Sequence, residues 1–158
     1  MNISSASDYA IRALLVLAKN FSEDPQILTT AEEIGESQKI PGKYLEAIIR
    51  KLRHAGLIES HRGPQGGHRL ALNPSQISLA DAIRAVDGPL AAVRGERPES
   101  VSYKGEATKL NLVWIAVRVA LRDVLEEVSI QQVLSGNLPA RVRRLIDQPG
   151  AWDRRKLQ

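Results

Sequence analysis

The sequence contains no cysteine. That absence excludes disulfides, thiolate metal ligands, cysteine nucleophiles and thiol redox switches. No apolar run is long enough to cross a bilayer. The first residues, 1–12, lack the basic region and apolar core of a secretion signal, so the reading is a cytoplasmic protein. The marks of an enzyme are missing too. There is no glycine-rich phosphate loop after a strand, no nucleophile elbow and no metal constellation. Asp123, Glu126 and Glu127 are neighbours on a helix, but they read as a solvated face. No cofactor and no metal are expected, and neither internal repeats nor low-complexity segments occur.

What is present suffices for one compact domain with a sizeable core, or for a small domain plus an oligomerisation arm. The chain has 158 residues, 43% of them hydrophobic, and a formal net charge of +4. This composition folds rather than staying disordered, and its mild basicity is compatible with nucleic acid.

The most informative stretch runs from Ile40 to Leu72. Leu45, Ile48, Ile49 and Leu52 recur at helical spacing, with Pro41 suited to a first turn and Gly56–Leu57 to a left-handed C-terminal cap. Two short strand-like runs follow, Leu57–Arg62 and His68–Leu72, around a loop with three glycines. A helix followed by a glycine-tipped hairpin outlines a winged helix. From Lys39 onward this stretch carries seven bases (Lys39, Lys43, Arg50, Lys51, Arg53, Arg62, Arg69) and only Glu46 and Glu59 as acids. The bases lie off the apolar stripe, which is the arrangement duplex DNA requires: cations for phosphates and a polar helix face for a groove. A solvated basic helix beside an ordinary hairpin would show the same charge.

Before this stretch, Ser7 is expected to cap a helix starting at Asp8, with Ala10, Ala13, Leu14, Leu17 and Phe21 as its stripe and Arg12 and Lys19 pointing away. Thr30 and Glu33 form a capping box for a short helix over Ala31–Glu36. Helix, short helix, turn and helix is helix-turn-helix order. After the hairpin, Ser78 and Asp81 open another short helix, which buries Leu79, Ala82, Ile83 and Val86 and closes at Gly88. Arg94–Glu106 reads as a loop. A long helix is expected over Thr108–Val128, apolar across so wide an arc that a second subunit is needed to cover it; an internal core helix is the alternative. Val113, Val117, Ala120, Leu121 and Val124 are its expected dimerisation residues. Shorter helices over Ser129–Leu134 and Pro139–Ile146 follow, then a frayed tail over Trp152–Gln158. The expected fold is mostly α with a small β-hairpin wing. Its divisions are a winged helix-turn-helix domain (1–90), a variable loop (91–107), a dimerisation helix with C-terminal helices (108–150) and a tail (151–158).

The run Tyr44-Leu45-Glu46, Leu52-Arg53, Ala55-Gly56-Leu57-Ile58, Arg62-Gly63 and Gly66-Gly67 resembles the Rrf2 family of bacterial winged-helix transcription regulators. The likeness reaches back to Tyr9-Ala10 and forward through Ile77–Pro89 to the long helix, which in that family is the dimerisation helix. The resemblance implies a homodimeric, sequence-specific DNA-binding protein, a repressor on an inverted-repeat operator of double-stranded DNA. It places Lys43, Tyr44, Glu46 and Ala47 at base- and phosphate-contacting positions. Arg62 and Gly63 then form a wing tip in the minor groove, and Tyr9 contacts the backbone. Arg50 belongs to the same basic helix face. Tyr44 is also readable as half-core, and Glu46 as an i,i+4 partner of Arg50. Cluster-binding members carry three cysteines where this chain has Arg94–Glu106, so a thiolate-held cluster is excluded by that route. His54, His61 and His68 do not have a zinc spacing. An effector pocket, if one exists, is expected at Tyr103 and Trp114 beside Arg94, Arg97 and Lys104; the preferred alternative is that the two aromatics are packing residues and the loop is inert. The alternative function is a winged-helix protein-interaction module, which would need apolar anchors on the wing and helix face.

Overall fold

The computed structural model describes residues 2–154. Seven helices and one hairpin follow in order: α1 Ser5–Glu23, α2 Ala31–Gln38, α3 Gly42–His54, β1 Ile58–His61, β2 Gly67–Leu70, α4 Leu79–Asp87, α5 Leu110–Leu125, α6 Ile130–Ser135 and α7 Ala140–Ile146. The expected tail lies partly outside the described residues, at 155–158.

Local chemistry explains most boundaries. Thr30 accepts the Glu33 N–H at 3.2 Å, and Glu33 takes back the Thr30 N–H at 2.7 Å, closing the expected capping box of α2. Ser78 and Asp81 do the same for α4. α3 ends in a Schellman motif, with Leu57 N–H donating to Leu52 C=O at 3.0 Å and Gly56 at φ +73°. One cap differs from expectation. Ser4 caps α1 by accepting from Ser7 N–H, so the helix starts three residues earlier than the sequence suggested. Ser7 is buried inside it and donates its hydroxyl to Asp87 at the end of α4, 2.6 Å away.

The core gathers Leu14, Ile34, Leu45, Leu52, Ile77 and Ile130, all fully buried, from α1, α2, α3, the segment before α4, and α6. Each contributes about 1.5–3 kcal/mol by leaving water. α6 joins this core through Ile130. It returns to pack on α1, and the Leu79 N–H to Val128 C=O and Ile130 N–H to Ile77 C=O bonds, both 2.9 Å, sew it to the start of α4. On α4 the fully buried residues are Ala80, Ala82 and Val86, whereas Leu79 and Ile83 are only half-buried.

The wing is anchored by a contact the sequence does not display. Thr29 and His68 exchange both backbone hydrogen bonds, at 2.9 and 2.8 Å, so the α1–α2 connection pairs with β2. Gly67 allows this approach, because a Cβ there would stand 2.9–3.0 Å from the Thr29 backbone. Gly67→Ala is expected to cost about 1–3 kcal/mol in urea unfolding, the usual range for overpacking. Gly42→Ala, whose Cβ meets nothing within 4 Å, should be neutral or stabilising by up to about 1 kcal/mol.

The segment expected as a plain loop is partly built in. Pro98 and Val101 are buried, residues 98–100 and 105–107 form single 3-10 turns, and α5 packs on the first of them. Pro98 and Val101 supply the apolar contacts that hold it.

Candidate nucleic-acid interface

Helical periodicity turns Leu45, Ile48, Ile49 and Leu52 of α3 into the core. The same periodicity turns Lys43, Tyr44, Glu46 and Arg50 outward, with Ala47 half-buried between them. Tyr44 is 52% exposed, so it sits on the surface rather than half in the core. Glu46 makes no ion pair with Arg50 and is open to solvent. Lys39, Lys43, Arg50, Arg53 and Arg62 make no ion pair among the described residues, which leaves their charge free for a partner.

Two of the seven bases counted from the sequence are already engaged. Lys51 Nζ donates to the Val86 carbonyl at 2.6 Å, tying α3 to the end of α4. Arg69 is held by Glu59 at 2.9 Å and also donates to Gln26. The pairing follows from hairpin register, since Glu59 lies directly opposite Arg69. That guanidinium keeps the Glu59 carboxyl below its ordinary range.

Tyr9 on α1 meets Tyr44 on α3, ring centres 6.4 Å apart and tilted by 49°. The Lys43 ammonium lies 5.0 Å from the Tyr44 ring centre. Tyr9, Tyr44, Ala47 and Lys51 line a shallow hollow of about 340 Å³ between the two helices. Arg12 was expected to point away, but it stacks 5.5 Å over Tyr9, pairs with Asp8 at 2.9 Å and donates to the Gln38 carbonyl. It fixes the Tyr9 ring and joins α1 to α2. Its one sequence signal was the Asp8–Arg12 spacing.

At the wing tip Arg62 and Gly63 are both exposed. Gly63 adopts φ +115°, a conformation that disfavours a side chain, and its carbonyl accepts Gly66 N–H at 2.9 Å. His68 faces inward and bonds Ser60 Oγ at 2.8 Å; burial, and then Arg53, push its pKa down, so it is neutral near pH 7. His61 lies 3.7 Å from Glu59, and His54 ends α3 in solvent.

The residues named on the long helix divide between two faces. α5 spans Leu110–Leu125, shorter than Thr108–Val128, and none of its residues is fully buried. Val117, Leu121 and Val124 are half-buried on the inner side, where Leu121 and Leu125 meet Ile83 and Leu90 around a hollow of about 300 Å³. Val113 (53% exposed) and Ala120 face outward with Leu112 (58%), Val119 (46%) and Ala116. Tyr103 and Trp114 do meet, but they close on each other. Trp114 Nε1 donates to the Tyr103 hydroxyl at 3.1 Å, and Arg94 covers the Tyr103 ring at 5.6 Å. The pair clasps the loop to α5, and both polar tips already have partners.

Residues 3–136 match the Rrf2 family, described as an iron-dependent transcriptional regulator. A helix-turn-helix transcriptional regulator of Mycobacterium tuberculosis strain H37Rv, Rv1287, is 39% identical over 93% of this chain and 89% of its own length. The regulator CymR of Bacillus subtilis is 33% identical over 85% of this chain and 91% of its own. The solved structure of CymR, the global cysteine regulator of B. subtilis, superposes with a TM-score of 0.70 at 32% identity, covering 86% of this chain and 98% of that one. The structure of T. potens IscR gives a TM-score of 0.67 at 31% identity, covering 87% and 88%. These relatives are regulators of transcription, not enzymes. The iron chemistry in the family description does not fit the residues here. The segment 94–106 offers arginines, glutamates and a tyrosine but no thiolate, and no three His, Asp or Glu side chains converge on one point among the described residues. The fold, the outward basic face of α3, the glycine-tipped wing and the match along most of the chain agree: this protein belongs to the Rrf2 family of winged-helix transcription regulators.

Proposed function

We propose that the chain is a homodimeric repressor, acting in the cytoplasm, that binds an inverted-repeat operator in double-stranded DNA. α3 enters the major groove, with Lys43 and Arg50 on phosphates and Tyr44, Glu46 and Ala47 facing base edges. Arg62, carried on the Gly63 tip, enters the adjacent minor groove, and Tyr9 braces the backbone. The observation that carries this reading is the outward face of α3, where free cations and a carboxylate stand beside the wing with no apolar anchor for a protein partner other than Tyr44. The outer stripe of α5 supplies the dimer: contiguous apolar surface on successive turns of one helix rarely stays open to water. Two-fold protein symmetry then imposes two-fold symmetry on the site.

Selection from random duplexes tests the proposal. It should return an inverted repeat, bound with an affinity that falls steeply as salt rises. Recovery of no consensus, or a single unrepeated half-site, would refute it. Promoters bearing the site should become more active when the gene is deleted.

Glu46 is the discriminating group in this arrangement. A carboxylate gains nothing beside phosphate, but it accepts from a cytosine amino group and repels the wrong base edge. Glu46→Ala is expected to change the selected consensus at one position per half-site, with non-specific affinity nearly unchanged. An identical consensus from mutant and wild type would remove Glu46 from base recognition.

A further inference from the structure

The end of α4, residues 97–99 and α5 enclose a half-open cavity of about 360 Å³. Arg84, Arg97, Arg118 and Arg122 line it against one carboxylate, Glu99. Its size falls at the small end of ligand pockets. The turn Gly88–Ala91 supplies the remaining wall, with Pro89 and Leu90 as apolar surface.

The arginines are incompletely satisfied. Arg118 pairs with Glu99 through one terminal nitrogen and is only 14% exposed, yet its buried Nε–H has no acceptor. An unpaired buried donor costs about 1–3 kcal/mol, more when charged. Arg97 makes no ion pair among the described residues. Arg122 reaches Glu126 only at 3.9 Å, and Glu126 already pairs with Arg84. Asp81, the other acid near Arg84 at 3.8 Å, lines the neighbouring hollow together with Glu126. A hydrogen bond from its own backbone N–H, and further the guanidiniums of Arg118 and Arg97, hold the Glu99 carboxyl below its ordinary range against the opposing effect of burial.

We propose that this cavity binds a small organic anion bearing a carboxylate or phosphoryl group, and that its occupancy changes operator affinity. Planar guanidiniums offer paired donors that match either group, and the apolar turn accommodates a short carbon skeleton. The site joins the two working parts of the molecule. Arg118 and Arg122 belong to α5, which bears the outer apolar stripe. Arg84 belongs to α4, whose last turn accepts Lys51 of α3 at Val86 and Ser7 of α1 at Asp87. An anion bridging Arg84 to Arg118 or Arg122 clamps α5 to α4, and through Lys51 to α3, while Arg97 adds a further donor from the segment before residues 98–100. It shifts DNA binding by the ratio of its affinities for the two arrangements. The binding site stands on its own geometry; its effect on operator affinity rests on the repressor reading above.

The test uses the full chain at constant ionic strength, with chloride as the balancing ion. Inorganic phosphate, succinate and glycerol 3-phosphate are titrated by calorimetry, alongside NMR of arginine Nε–H groups. At least one probe should bind saturably at one site per protomer and shift the Arg118 Nε–H resonance. Binding of succinate alone assigns a carboxylate ligand; binding of the phosphates alone assigns a phosphoryl ligand. Arg97→Gln, at an exposed residue without an ion pair among the described residues, should leave the fold intact and weaken that binding at least tenfold. Lys19→Gln, an exposed cation on α1, should not. The bound probe should alter operator affinity of the wild type at least threefold and leave that of Arg97→Gln unchanged. If no probe saturates, or both variants respond alike, the site is refuted. Saturable binding with unchanged operator affinity refutes the coupling. Failure to bind DNA under every condition refutes the repressor reading instead, and the calorimetry then decides the site alone.

Discussion

Replacing Leu112 and Val119 together by aspartate is expected to convert the protein into monomers and remove most of its operator affinity. Both side chains are about half exposed on the outer stripe of α5, so the change should not disturb the fold of a single chain. In a two-fold interface the same stripe meets its own copy, and each new carboxylate would be desolvated beside an apolar surface and near its symmetry mate. A dimer constant weakened at least a hundredfold corresponds to about 2.8 kcal/mol, a small demand for two buried carboxylates per protomer. Sedimentation should show monomers at micromolar concentration with an unchanged circular dichroism spectrum. Val117 and Val124, half-buried on the inner side, are poorer choices, because aspartate there would also disturb the contact of α5 with its own chain. A double variant that remains dimeric, or a wild type already monomeric, would remove α5 as the interface.

Arg62→Ala is expected to weaken operator binding by about 1–3 kcal/mol and to flatten the log–log salt dependence by about one unit. The reason is position. Gly63 at φ +115° lets the tip turn tightly, and the exposed Arg62 beside it can approach a narrow, strongly negative minor groove. Arg69→Ala is the informative contrast. Arg69 sits on the same hairpin with the same charge, but Glu59 and Gln26 hold it, so the salt slope should hardly move. Equal effects from the two replacements would mean that the wing contributes only diffuse charge.

That contrast marks the boundary of what could be read from the residues. Arg62 and Arg69 look alike in a charge count. Only the pairing of β1 with β2 sets Glu59 opposite Arg69 and leaves Arg62 beyond the last paired residues. Lys51 belongs to the same basic run as Arg50, yet it spends its ammonium on a carbonyl 35 positions further along the chain. The effector pocket shows the same limit. Two aromatics near a basic loop read either as a cleft or as packing residues at Tyr103 and Trp114. The fold joins them to each other, and the arginine-lined cavity draws Arg84, Arg118 and Arg122 from helices whose nearness no local pattern records.

The sequence alone determined the parts governed by neighbours within a few positions. These are the capping boxes at Thr30 and Ser78, the Schellman end of α3 at Gly56, the inward stripe of α3 and the glycine-tipped wing. Each depends on bonds spanning three to five residues or on helical periodicity, and both can be read along the chain. Tertiary structure decided which apolar face of α5 stays open. That helix is apolar over most of its circumference, so periodicity assigns no outside; α4 and residues 98–100 cover one side and leave Leu112, Val113, Ala116, Val119 and Ala120 in water. It also decided where α6 packs, because Ile130 fills space between α1 and the segment before α4. Burial and long-range pairing are properties of two surfaces at once, and a single segment of sequence describes only one of them.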